Sequence, residues 1–124
     1  MNDGKHVILC VDDDQDILDA MQMILEGEGF AVRTASSGEE ALRKYKGERP
    51  DMVLVDLMME EVDSGVNLVK ELKALGEPPP IYMMSAVGDE LYSTIDFSSL
   101  GLNGVLQKPV QPRTLVSALK AALR

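Results

Sequence analysis

Five side chains suited to metal ions and phosphate stand directly behind short apolar runs. Asp12 and Asp13 follow Val7-Ile8-Leu9-Cys10-Val11, and Asp56 closes Met52-Val53-Leu54-Val55. Ser85 follows Ile81-Tyr82-Met83-Met84, and Lys108, ahead of Pro109, follows Val105-Leu106-Gln107. Brought to one place, these carboxylates, the hydroxyl and the ammonium suit a divalent cation and a phosphoryl group. Two like charges about 4 Å apart repel by roughly 4 kcal/mol at an effective dielectric near 20. Clustered carboxylates therefore need a counter-cation, or one of them must hold a proton.

The elements that must position these groups follow from the apolar pattern. Short apolar runs, each ended by a polar residue, read as buried parallel strands. In an open parallel sheet the ligand site lies outside the carboxyl ends of the strands. Helical spacing separates the runs. Ile17, Leu18, Met21, Ile24 and Leu25 share one helical face, with Asp14 as cap and Gly27 and Gly29 as the stop. Residues 30–35 read as a further strand. Ser37 and Glu40 have the spacing of a capping box, with Ala41, Leu42 and Tyr45 on the buried face. Arg49-Pro50-Asp51 forms the next turn. Val66, Leu68, Val69, Leu72 and Leu75 mark another helix, closed by Gly76. Residues 89–100 give the weakest helical pattern, because Tyr92, Thr94, Ser98 and Ser99 are poor helix formers. Pro112 opens a last helix that buries Leu115, Val116, Leu119 and Ala122. Strand and helix thus alternate, which implies a parallel sheet with helices on both faces.

Bulk properties bound the function. The chain has 124 residues and 45% apolar content, enough for one domain with a real core, here residues 1–124. Its 12 basic and 21 acidic residues leave a net charge of −9, which argues against direct binding to nucleic acid or to an anionic membrane. No apolar stretch is long enough to span a bilayer, and residues 1–5 lack the apolar core of a signal peptide. The single cysteine, Cys10, reads as a buried apolar residue in a reducing, cytoplasmic setting. The single histidine, His6, reads as a surface residue ahead of the first strand.

The ordered set Asp12-Asp13, Asp56, Ser85-Ala86 and Lys108-Pro109 resembles the receiver domain of two-component response regulators, the CheY-like family, over nearly the whole chain. The resemblance implies a flavodoxin-like (βα)5 fold, doubly wound, with a five-stranded parallel sheet of order 2-1-3-4-5. It implies a signalling switch and not a metabolic enzyme. Asp56 would accept a phosphoryl group from a sensor histidine kinase or histidine phosphotransfer protein. Asp13 and Asp56 would bind Mg²⁺ directly, joined by the backbone carbonyl of Met58, and Asp12 would act mainly through a bound water. Ser85 and Lys108 would each contact a phosphoryl oxygen. Mg²⁺ suits oxygen ligands and keeps several waters, and in phosphoryl transfer the protein chiefly positions groups and neutralises charge. The resemblance also implies a cis Lys108–Pro109 bond. It implies a downstream protein target and a homodimer, both through residues 89–100, the last strand and the last helix. Because the chain ends at Arg124, it reads as a stand-alone regulator or a piece of a longer protein, and Met1 favours a natural start.

The sequence departs from the family in three places. Glu60 stands where Pro is usual, and Gly65 comes one place late with Ser64 in its stead, so the loop after Asp56 is longer and more acidic. Val105 replaces the usual Tyr or Phe, which removes the ring that reports phosphorylation. Met58 and Val87 flank the expected path of attacking water, and two apolar side chains there predict slow self-dephosphorylation.

Other readings compete. Asp14 is expected as a helix cap, Asp16 and Asp19 as solvated first-turn acids, and Asp51 as a turn residue. Glu60, Glu61 and Asp63 are expected as a solvated loop, with Met58 and Met59 as packing residues. An EF-hand loop starting at Asp12 fails, since Ile17 and Met23 occupy the positions that need Gly and Glu. A haloacid-dehalogenase-type phosphatase expects a larger chain and Thr or Val near Asp16. The opposing class is a receiver-shaped interaction module that is not phosphorylated.

Overall fold

The computed structural model describes residues 5–56, 64–86, 104–108 and 111–123, and for residues 64–66, 85–86 and 107–108 the backbone alone. Along the chain run β1 (Val7–Val11), α1 (Gln15–Gly27), β2 (Ala31–Ala35), α2 (Gly38–Gly47) and β3 (Met52–Asp56). They are followed by α3 (Ser64–Ala74), β4 (Ile81–Ala86), β5 (Gly104–Lys108) and α4 (Pro112–Ala122). The weakly helical stretch 89–100 lies outside the described residues. The sheet order is β2-β1-β3-β4-β5, with every neighbouring pair parallel. This is the 2-1-3-4-5 order of the flavodoxin-like fold.

Alternation along the strands sends side chains to two cores. Leu9, Val11, Val53, Val55, Ile81 and Met83 pack with Ala41 and Tyr45 of α2 and Leu68, Val69 and Leu72 of α3. Ile8, Cys10, Met52, Leu54, Met84 and Leu106 pack on the other face with Leu18, Met21 and Leu25 of α1 and Leu115 and Leu119 of α4. Strands β1 and β3 are buried at every position, which is why they read as unbroken apolar runs. Strand β2 lies at an edge and exposes Arg33.

Local chemistry sets the helix ends. The Asp14 side chain accepts a hydrogen bond from the Asp16 N–H and caps α1. At the other end, the Gly29 N–H donates to the Glu26 carbonyl and the Phe30 N–H to the Leu25 carbonyl. Gly29 has φ +93, the left-handed backbone that this Schellman closure requires. Phe30 and Leu25 share the core beneath it. Ser37 caps α2 through the Glu40 N–H, but Glu40 reaches back to the Ser36 N–H, one residue before the cap. Several boundaries differ from expectation, β2 starting at Ala31 and β5 spanning Gly104–Lys108 among them. Strand β4 continues through Ser85 and Ala86, because both still pair with β5. Leu75 falls past the end of α3 and is half exposed, where α3 periodicity would have buried it.

Candidate functional site

The carboxyl ends of β1 and β3 carry the acids. Val11 pairs with Val55, so Asp12 and Asp56 emerge side by side at the same level of adjacent strands. Two backbone contacts help to anchor Asp12. Its N–H donates to the Ala35 carbonyl at 3.1 Å, and its Oδ1 accepts from the Asp14 N–H at 3.0 Å. Asp14 in turn caps α1, so the acid at the strand end and the start of the helix are bonded into one turn.

Asp12, Asp13 and Asp56 each place a carboxylate oxygen within 4.8 Å of the others. Asp12 is 1% and Asp56 4% exposed, while Asp13 is open to solvent. Two carboxylates thus sit in low dielectric and the third forms the mouth. Among the described residues this is the one grouping of acids, histidine or cysteine compact enough to hold a metal ion. The donors are all hard oxygens, with no nitrogen or sulfur, which selects Mg²⁺-like cations over zinc. With ligand atoms this close together, the three acids could be drawn onto one such ion.

Burial, and then the nearby charge of Asp12, pushes the Cys10 thiol up to about 12. Cys10 is fully buried in the α1–α4 core, as the sequence reading expects, and has no role as a nucleophile.

Asp56 pairs with Met84, Ser85 with Gln107 and Ala86 with Lys108. The backbones of Ser85 and Lys108 therefore lie one and two register steps beyond Asp56 along the same sheet edge. At about 3.3 Å per residue, Lys108 sits roughly 7 Å further out. Their side chains, together with Met58, Met59, Glu60, Glu61, Asp63, Val87 and Pro109, lie outside the described residues. Val105 pairs with Met83 and is half-buried.

The acids of the competing readings separate from this cluster. Asp14 is the cap, and Asp16 and Asp19 are exposed on α1. Asp51 does more than turn the chain. Its Oδ2 accepts from the Val7 N–H at 2.7 Å and lies 3.8 Å from Nδ1 of His6, joining the amino ends of β1 and β3. His6 is accordingly half-buried against Asp51 and not simply a surface residue. The anchoring carbonyl of Ala35 was likewise invisible in the sequence, since a main-chain acceptor leaves no residue-type signal.

The model of the response regulator receiver domain matches residues 8–120. The chain belongs to the receiver-domain family of response regulators. It is a phosphorylation-activated switch with an acidic pocket of Asp12, Asp13 and Asp56, a phosphoacceptor and not a turnover enzyme. Receiver domains interact with histidine kinases. The receiver domain is 38% identical over 117 residues to the alkaline phosphatase synthesis transcriptional regulatory protein PhoP of Bacillus subtilis, covering 94% of this chain and 48% of that protein. It is 33% identical over 124 residues to the DNA-binding response regulator MtrA of Mycolicibacterium smegmatis, covering 100% of this chain and 53% of that protein. The receiver domain thus spans about half the length of the curated relatives it matches. Among solved structures it resembles a putative response regulator from Chloroflexus aurantiacus, with TM-score 0.83, 35% identity and coverage of 96% of this chain and 98% of that one. It also resembles the Vibrio cholerae chemotaxis protein CheY4, with TM-score 0.84, 29% identity and coverage of 97% and 100%.

Proposed function

We propose that Asp56 is the phosphoacceptor and that residues 1–124 form one receiver domain. The observation that carries this is the cluster of Asp12, Asp13 and Asp56 at adjoining strand ends. A carboxylate oxygen of Asp56 attacks the phosphorus of a phosphohistidine. A P–O bond forms, the P–N bond breaks, and the imidazole leaves with the electron pair, giving an aspartyl phosphate. Asp13 and Asp56 would hold Mg²⁺ directly, Asp12 would act mainly through a bound water, and the Met58 carbonyl would complete the protein ligands. When bound, this cation neutralises charge on the acids and on the incoming phosphoryl oxygens. Ser85 donates its hydroxyl to one phosphoryl oxygen and Lys108 pairs with another. Their register positions on the same sheet edge support both roles.

The donor is a sensor histidine kinase or a histidine phosphotransfer protein. The product state is read by a downstream protein through residues 89–100, β5 and α4, a surface that also serves for homodimerisation. Val105 offers no ring for the readout, so the signal passes by a shift in the loop after Ser85 or by shape changes around residues 89–100. The domain works in the cytoplasm without inserting into a membrane. No described helix is long and apolar enough to cross one, and the lone buried Cys10 needs no oxidising compartment.

Incubation with acetyl phosphate and Mg²⁺ tests the reading by intact mass. One phosphoryl group should be gained by the native chain and by none of the Asp56→Asn molecules. Uptake that survives in Asp56→Asn moves the acceptor elsewhere. No uptake by the native chain favours an interaction module that is not phosphorylated.

A further inference from the structure

The open edge of β2 carries a feature that phosphoryl transfer does not use. In the β1–β2 ladder the Ala31 N–H donates to the His6 carbonyl and the Ala35 carbonyl accepts from the Asp12 N–H. Residues 31, 33 and 35 thus turn their main-chain groups towards β1. By the same alternation, Val32 and Thr34 turn theirs outward, away from the sheet. A sheet-edge row of this kind can template another strand, here with Thr34 half-buried and the Val32 side chain in the core.

The Nζ of Lys44, on α2, donates to the outward-facing carbonyl of Thr34. Beside it, Nε of Arg33, at the middle of β2, meets Oε1 of Glu48 at 3.1 Å, so a further pair of charged side chains lies along the edge. We propose that Lys44 guards the β2 edge against strand addition by a second copy of this chain.

The second copy is the fitting occupant because two identical edges complement each other across a two-fold axis. Antiparallel pairing centred on Arg33 opposes Val32 of each chain to Thr34 of the other. The N–H of Val32 then needs the Thr34 carbonyl of its partner as acceptor, and that oxygen already accepts from Lys44, whose charged end stands at the edge. Two copies would also bring two Lys44 ammonium groups towards one axis, where like charges oppose docking. This edge lies at the opposite side of the sheet from β5, so it is a different contact from a dimer through β5 and α4.

The full chain and its Lys44→Met, Lys44→Gln and Lys44→Arg variants test the proposal without any phosphoryl donor. Sedimentation velocity reads association, circular dichroism reads folding, and amide exchange by NMR reads the edge. The native chain and Lys44→Arg should form no dimer through β2, with fast exchange at the Val32 and Thr34 amides. Lys44→Met and Lys44→Gln should dimerise with exchange at those amides slowed about tenfold or more. Folded variants that remain monomeric overturn the proposal. So do dimers with no protection at Val32 and Thr34, a native chain already paired through these amides, or loss of the fold in both variants.

Discussion

Asp12 works through its neighbours. Its carboxylate is held by the Asp14 N–H and its own N–H by Ala35, so its position is set before any ion arrives. Cys10 shows the opposite use of a polar atom close to the site. It is fully buried, and burial together with Asp12 disfavours its thiolate. The folded state therefore keeps the thiol proton to about pH 12, against an ordinary value of 9.0. Between these values the unfolded chain binds fewer protons than the folded one, so stability falls as pH rises. This contribution is fully present below pH 9 and is lost upward through the window, at up to about 1.4 kcal/mol per pH unit. Cys10→Ala should flatten the alkaline limb of a denaturant-midpoint profile by that amount. A native limb no steeper than that of the variant would refute the burial argument. Thiol reagents at neutral pH should modify Cys10 only as fast as the chain opens.

Between neighbouring elements, Tyr82 and Gly104 show how a side chain and its absence fit together. They are paired across β4 and β5, and a Cβ placed on Gly104 would lie 2.7 Å from Cε2 of Tyr82. The Tyr82 ring covers the space that any other residue would fill, and it packs against the α1–α4 core. Overpacking of this kind typically costs about 1–3 kcal/mol. Gly104→Ala should lower stability by that order in urea melts, and the loss should shrink by more than half in a Tyr82→Leu background. Equal losses in both backgrounds would assign the cost to backbone and not to the ring. The strand runs, the Asp14 and Ser37 caps and the Pro112 helix start were legible from residue types, because each rests on local chemistry. Leu75 was misplaced because periodicity continues past the point where α3 stops.

For the whole molecule, a cation bound in the acidic pocket would link folding to metal. Asp12, Asp13 and Asp56 converge only in the folded chain, so a cation held by them stabilises that state by mass action. At a hundred times its dissociation constant the gain is about 2.7 kcal/mol. Mg²⁺ should raise the thermal midpoint well above that in NaCl of equal ionic strength. Asp13→Ala should lose most of this gain, and in metal-free buffer it should be at least as stable as the native chain, since a repulsive charge is gone. A Mg²⁺ effect unchanged in Asp13→Ala would separate the ion from this cluster.

Residue order alone established that strands and helices alternate and that acids, a hydroxyl and a lysine stand at strand ends. Apolar periodicity and capping act within a few residues and are written locally. Folding chose among the many acids. Asp12, Asp13 and Asp56 meet, while Asp14, Asp16 and Asp19 stay on α1 and Asp51 ties the far end of the sheet. That choice depends on the pairing of β1 with β3 at Val11 and Val55, and the bond from Lys44 to Thr34 depends on how α2 lies against β2. Uniformly apolar strands carry little information about partner or register, so these meetings arise only when the sheet closes on its neighbours.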